Sequence, residues 1–99
     1  MICYDREGHE IPYERWVILF EDTDYRRVAE DEIGPYWIST VWLGLDHSFG
    51  HAEAPWIYET MVFKGGDMAG VEQRRYATLE QAQVGHEETV SEVRLFATL

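Results

Sequence analysis

The chain has 99 residues, is 45% apolar and 14% aromatic, and carries a formal net charge of −11. This is a globular composition rather than a disordered one, and the length suits one domain spanning residues 1–99. The charge argues against direct contact with nucleic-acid phosphates or anionic membranes, and a lone cysteine, Cys3, excludes an internal disulfide or a multi-thiolate metal site.

In chain order, Ile2-Cys3-Tyr4 opens a short strand. Asp5-Arg6-Glu7-Gly8 signals a turn, and His9-Glu10-Ile11 returns. Pro12 sits where a helix can start, since its missing N–H would be unpaired there anyway. Tyr13, Trp16, Val17 and Phe20 fall at i, i+3, i+4 and i+7, which predicts a short helix over 13–22. The charged segment 25–33 has no clean period and reads as an edge strand. Gly34-Pro35 turns the chain into Tyr36–Gly44, the strongest strand of the sequence. Its two faces are Tyr36, Ile38, Thr40, Trp42 and Trp37, Ser39, Val41, Leu43. Both are mostly apolar, so the strand is expected to be central and covered on both sides.

An eleven-residue loop over 45–55 leads to a partner strand over 56–63. The glycine-rich stretch 64–70 reads as the most flexible segment. Thr78 is placed as a helix N-cap with Gln81 in the capping-box position. Leu79, Ala82, His86, Val90 and Val93 mark one face of the last helix. Gly85 interrupts that helix at a cost of about 1 kcal/mol relative to Ala, which points to close backbone approach to the sheet. The tail over 94–99 is apolar enough to dock as a last turn or short strand.

Four polar groups stand out against this apolar background. Asp46 and His47 sit in the long loop, with His51 four residues on. Histidine and carboxylate suit a divalent metal, but Asp46, His47 and His51 supply no fourth ligand and fall in a loop. The alternative is that Asp46 caps a turn and His47 bonds backbone. Glu59 lies on an alternating face with Ile57, Met61 and Phe63, opposite about Val41 if the two strands pair. It reads either as a pocket-floor carboxylate served by Ser39 or Thr40, or as a group that meets water or pairs with Arg26 or Arg27. His86 on the apolar helical stripe is either a core histidine or a partner for Glu59 and the Asp46-His47 loop. Convergence of these groups would give a set able to transfer a proton or bind an anion. No phosphate-binding loop, dinucleotide fingerprint or serine elbow occurs, and no cofactor is expected.

The string Ser39-Thr40-Val41-Trp42-Leu43-Gly44-Leu45-Asp46-His47, then Tyr58-Glu59-Thr60-Met61-Val62-Phe63, Tyr76-Ala77-Thr78 and Gly85-His86, resembles a group of small proteins encoded by phages and prophages of GC-rich bacteria. Asp24-Tyr25-Arg26-Arg27-Val28-Ala29 and Trp16 are similar to the same group, so the likeness covers nearly the whole chain. Lys64 is the only lysine and Asn is absent, a usage that fits a GC-rich genome. The resemblance implies provenance, a phage accessory protein acting in the host cytoplasm, and implies no activity. His51 and Gly65-Gly66 lie outside the shared pattern.

The expected fold is α+β: a small antiparallel sheet of three to four strands, covered on one face by a C-terminal helix, with a short N-terminal helix. The expected function is non-catalytic binding of a host protein with a basic surface, as an anti-defence protein or nucleic-acid mimic. Two other readings stand beside it. One is a small-molecule or metal-binding protein or simple hydrolase using Asp46, His47, Glu59 and His86, with Thr40 a further candidate ligand-binding residue. The other is a structural morphogenesis protein. No membrane partner is expected, and surplus apolar surface on the strands allows a homodimer.

Overall fold

A computed structural model describes residues 1–98, and the side chains of all of these except 67–69. The chain begins with a two-stranded hairpin, β1 (Cys3–Tyr4) and β2 (Glu10–Ile11). Its turn is held by the Asp5 carboxylate, which accepts the backbone N–H groups of Glu7 and His9 at 3.0 and 2.9 Å. Helix α1 (Tyr13–Glu21) follows Pro12, and α2 (Thr23–Arg26) is capped by Asp22, whose carboxylate accepts from Asp24 and Tyr25.

The main sheet is a four-stranded antiparallel meander of β3 (Arg27–Ile33), β4 (Tyr36–Trp42), β5 (Tyr58–Lys64) and β6 (Asp67–Tyr76). β3 is an edge strand, as its charge pattern predicts, and Val41 faces Glu59 across the central pair. The long helix α3 (Leu79–Ala97) crosses one face. It opens with the expected capping box: Thr78 accepts from the Gln81 N–H while the Gln81 side chain reaches back to the Thr78 N–H. The architecture is therefore α+β, with a small antiparallel sheet roofed on one side. The expected apolar tail over 94–99 continues this helix to Ala97, and Leu99 lies outside the described residues.

The covered face buries Ile38, Thr40 and Trp42 of β4 and Tyr58, Thr60 and Val62 of β5. Two apolar clusters share it. Ile38 and Val62 meet Val90 and Val93 of α3. Trp42, Ile57 and Tyr58 meet Ala82 and, from α1 and α2, Trp16, Leu19, Phe20 and Tyr25. The cross-strand pair Thr40 and Thr60 lies between the clusters. Both interior glycines of this region are there for space. A Cβ on Gly85 would stand 2.3 Å from the Tyr76 ring, so α3 approaches β6 closely, as the helix interruption predicts. Gly44 has φ +74°, and a Cβ there would fall 2.5 Å from both the Trp16 and Trp42 rings.

One expectation is corrected. β4 is central but covered on one side only. Trp37, Ser39 and Val41 remain half-exposed because the helices α1, α2 and α3 pack against the other face of the sheet. The glycine-rich stretch 64–70 contributes a turn and the start of a strand. Gly65 and Gly66 form a tight turn, with φ of 29° and 77°, and β6 begins directly after it. The polar run Val71-Glu72-Gln73-Arg74-Arg75 joins the sheet through backbone pairing at an edge, where side chains need not be apolar.

Candidate functional site

The loop between β4 and β5 is fastened by Asp46. Its Oδ1 accepts the N–H groups of Ser48 at 2.8 Å and Trp56 at 3.0 Å, drawing the two ends of the loop together. The backbone of His47 bonds to Trp56 as well, at 3.0 Å. Burial by itself would raise the Asp46 carboxyl. The Ser48 hydroxyl beside it and the N–H groups of Ser48 and Trp56 outweigh that effect and hold it below the usual carboxylate range. Asp46 is thus occupied in holding the loop. His47 is half-exposed in a shallow depression with Tyr4, Leu45 and Phe49, whereas His51 is exposed. Among the described residues, Asp46, His47 and His51 do not draw together as a three-ligand cluster.

Glu59 projects from the side of the sheet opposite α3. It pairs with Arg75 of the neighbouring strand, Nε donating to Oε2 at 3.1 Å, and not with Arg26 or Arg27. Arg26 donates to the Phe20 carbonyl, and Arg27 pairs with Glu30. The residue directly across the ladder neutralises this carboxylate.

His86 is fully buried beneath α3 and heads a chain of polar contacts. Its Nδ1 lies 2.7 Å from Thr40 Oγ1, and its Nε2 lies 2.7 Å from Asp31 Oδ2. Thr40 Oγ1 in turn lies 2.5 Å from Thr60 Oγ1, which accepts from the Tyr76 hydroxyl at 3.2 Å. With the imidazole neutral and its proton on Nε2, every link is satisfied in one direction. Tyr76 donates to Thr60, Thr60 to Thr40, Thr40 to His86, and His86 to the Asp31 carboxylate.

The order Asp31, His86, Thr40 is that of a hydroxyl nucleophile activated by a base and its orienting carboxylate. Its environment is not. Thr40 Oγ1 is completely buried and engaged by both Thr60 and His86, so a substrate has no approach to it. Around Thr40 this chain of contacts satisfies polar groups inside the core.

The expected residues therefore separate. Thr40 and His86 come together, whereas Glu59 lies on the opposite face of the sheet from them. Two neighbours on a strand point to opposite sides, and Glu59 is adjacent to the buried Thr60. The Asp46-His47 loop lies beyond the β4 and β5 strand ends. The convergence of Glu59 with His86 is corrected on that ground.

Sequence reasoning missed two features. Asp31 was hidden in the charged edge strand, although Ala29 and Ile33 place it on the inward face by alternation. The second is the uncovered face itself. Trp37 and Phe63 stack there with centroids 5.0 Å apart, beside Val41 and Met61. Glu32 stands across from Trp37, and Glu30, paired with Arg27, across from Ser39, giving this apolar strip a charged margin. Comparison of the chain with protein-family models, with curated proteins and with solved structures finds no match.

Proposed function

We propose that this chain is a small acidic, non-catalytic binding protein of the phage accessory type, and that it captures a host protein with a basic surface on the uncovered face of its sheet. The observation that carries this reading is the stacked, half-exposed pair Trp37 and Phe63, with Val41 and Met61 around it and Glu30 and Glu32 at its margin. Aromatic residues and methionine at the centre of a patch, with charge at its rim, match the composition of protein interfaces. The net charge of −11 would speed encounter with a basic partner. The resemblance to phage-encoded proteins belongs to the same reading, as does capture of a defence or nucleic-acid-handling protein through its basic groove. A hydrolase built on Asp46, His47, Glu59 and His86 has less support, since Glu59 lies on the opposite face of the sheet from His86. No helix among the described residues is long and apolar enough to cross a membrane.

Affinity capture from a host lysate tests the proposal, using the wild-type chain and the variants Trp37→Ser and Phe63→Ser. A specific protein should be retained by wild type, be released as salt rises, and be lost from both variants. Retention that ignores salt or survives both substitutions overturns the reading. A wild-type chain that sediments as a dimer, and becomes monomeric in Trp37→Ser, assigns the face to a second copy and overturns it too.

A further inference from the structure

We propose that Asp31, His86 and Glu87 form a site for a divalent transition-metal ion, with Zn²⁺ the ion that best fits the donor set, and that the ion ties α3 to the edge strand β3. One donor atom from each residue lies within 4.8 Å of the others. Four-coordinate zinc with bonds of about 2.0–2.1 Å requires donors about 3.3 Å apart, so small side-chain adjustments bring all three into range. An imidazole nitrogen with two carboxylates selects zinc or a neighbouring first-row ion over calcium or magnesium, which prefer oxygen alone.

The charge balance at this spot supports an ion. His86 Nε2 and Asp31 Oδ2 are 2.7 Å apart, the separation of a shared proton. A metal ion would take that proton's place and ask Asp31 to withdraw by roughly 0.6 Å, the difference from the zinc donor spacing. The Asp31 side chain is 43% exposed, so it has room to do so, whereas the His86 side chain is 1% exposed and fixed. Glu87 is exposed on the helix next to His86. Among the described residues, neither Asp31 nor Glu87 pairs with an arginine or lysine. Two carboxylates thus lie within 4.8 Å of a single imidazole nitrogen.

The far side of the ring is already prepared. A histidine that binds a metal through one nitrogen almost always gives its other N–H to a fixed acceptor, which sets tautomer and ring orientation. Thr40 Oγ1, buried and held in turn by Thr60, occupies that position at Nδ1. The hydroxyls rotate to accept the Nδ1 proton once Nε2 carries the ion. Such a site bridges a helix and an edge strand, so bound metal should raise the melting temperature by mass action.

The test is calorimetric and thermal titration of the metal-stripped full chain with Zn²⁺, at moderate salt to suppress loose counterion binding. One ion per chain, a rise in melting temperature, and a shift of the His86 Nε2 resonance are expected. Glu87→Gln and Asp31→Asn retain hydrogen-bonding groups and should fold, yet each should weaken binding by about tenfold or more, at least the loss seen when a supporting group of a metal site is removed. His47→Gln and His51→Gln should leave it unchanged. Absence of binding at millimolar Zn²⁺, binding that is indifferent to both acidic variants, or a His86 resonance that does not move each overturns the proposal.

Discussion

The two faces of the same sheet are built from neighbouring residues and meet opposite fates. On β4, Ile38, Thr40 and Trp42 are buried, while Trp37, Ser39 and Val41 between them are half-exposed. Large aromatic residues appear on both, so residue type does not decide which side is roofed. The roof is decided by the partners: α3, α1 and α2 all pack on one side. The covered face spends its aromatic surface on stability. The open face keeps Trp37 and Phe63 in reach of another molecule.

Substitutions on each side sharpen that contrast, and the largest effect belongs to the covered face. Trp42→Ala removes the ring around which Phe20, Tyr25 and Tyr58 gather, and should cost about 3–5 kcal/mol in urea unfolding. Thr40→Val is next. It leaves His86 Nδ1 and Thr60 short of a partner inside the core, and a loss of about 1–3 kcal/mol is expected. Adding Thr60→Val should not double that loss, since both substitutions break the same chain of contacts.

Asp46→Asn probes the loop and should be worth about 1 kcal/mol near neutral pH. The sign follows from the depressed folded-state carboxyl. An acid held below its ordinary value, 3.8, contributes stability that is complete above that value and is lost as pH falls through the lower folded one. The stability gap between wild type and Asp46→Asn should therefore close as pH is lowered below about 4, which thermal unfolding at several pH values would measure. Trp37→Ser on the open face should change stability least, within about 1 kcal/mol, because water already reaches that ring. If it instead costs as much as Trp42→Ala, the open face is structural and the distinction between the sides fails.

Much of this was legible before any coordinates. The short helix over 13–21, the edge strand, the central strand with Val41 opposite Glu59, and the Thr78 capping box all follow from periodicity and cap chemistry. β6 was not legible, because Val71 to Arg75 has no alternation and owes its place to the ladder offered by β5. Nor was the fate of the polar residues. Glu59 and Thr60 are adjacent in sequence, and only the position of α3 determines which of them is sealed inside. The partner of His86 was similarly beyond reach, since Asp31 lies 55 residues away and looks like one more charge on a charged strand. Loop assignment fared better: Asp46 does cap a turn, as turn chemistry suggests for that residue type.

The threonine pair at the middle of the covered face bears on how the chain finds a single arrangement. Sliding one central strand along the other by two residues would keep every inward side chain inward, so greasy contacts alone punish it weakly. The same slide would set Thr40 against Val62 or Tyr58 and part it from Thr60, breaking the hydroxyl couple that links the two strands. One hydroxyl couple thus acts as an alignment key, rejecting misthreaded folds that are otherwise nearly as well packed.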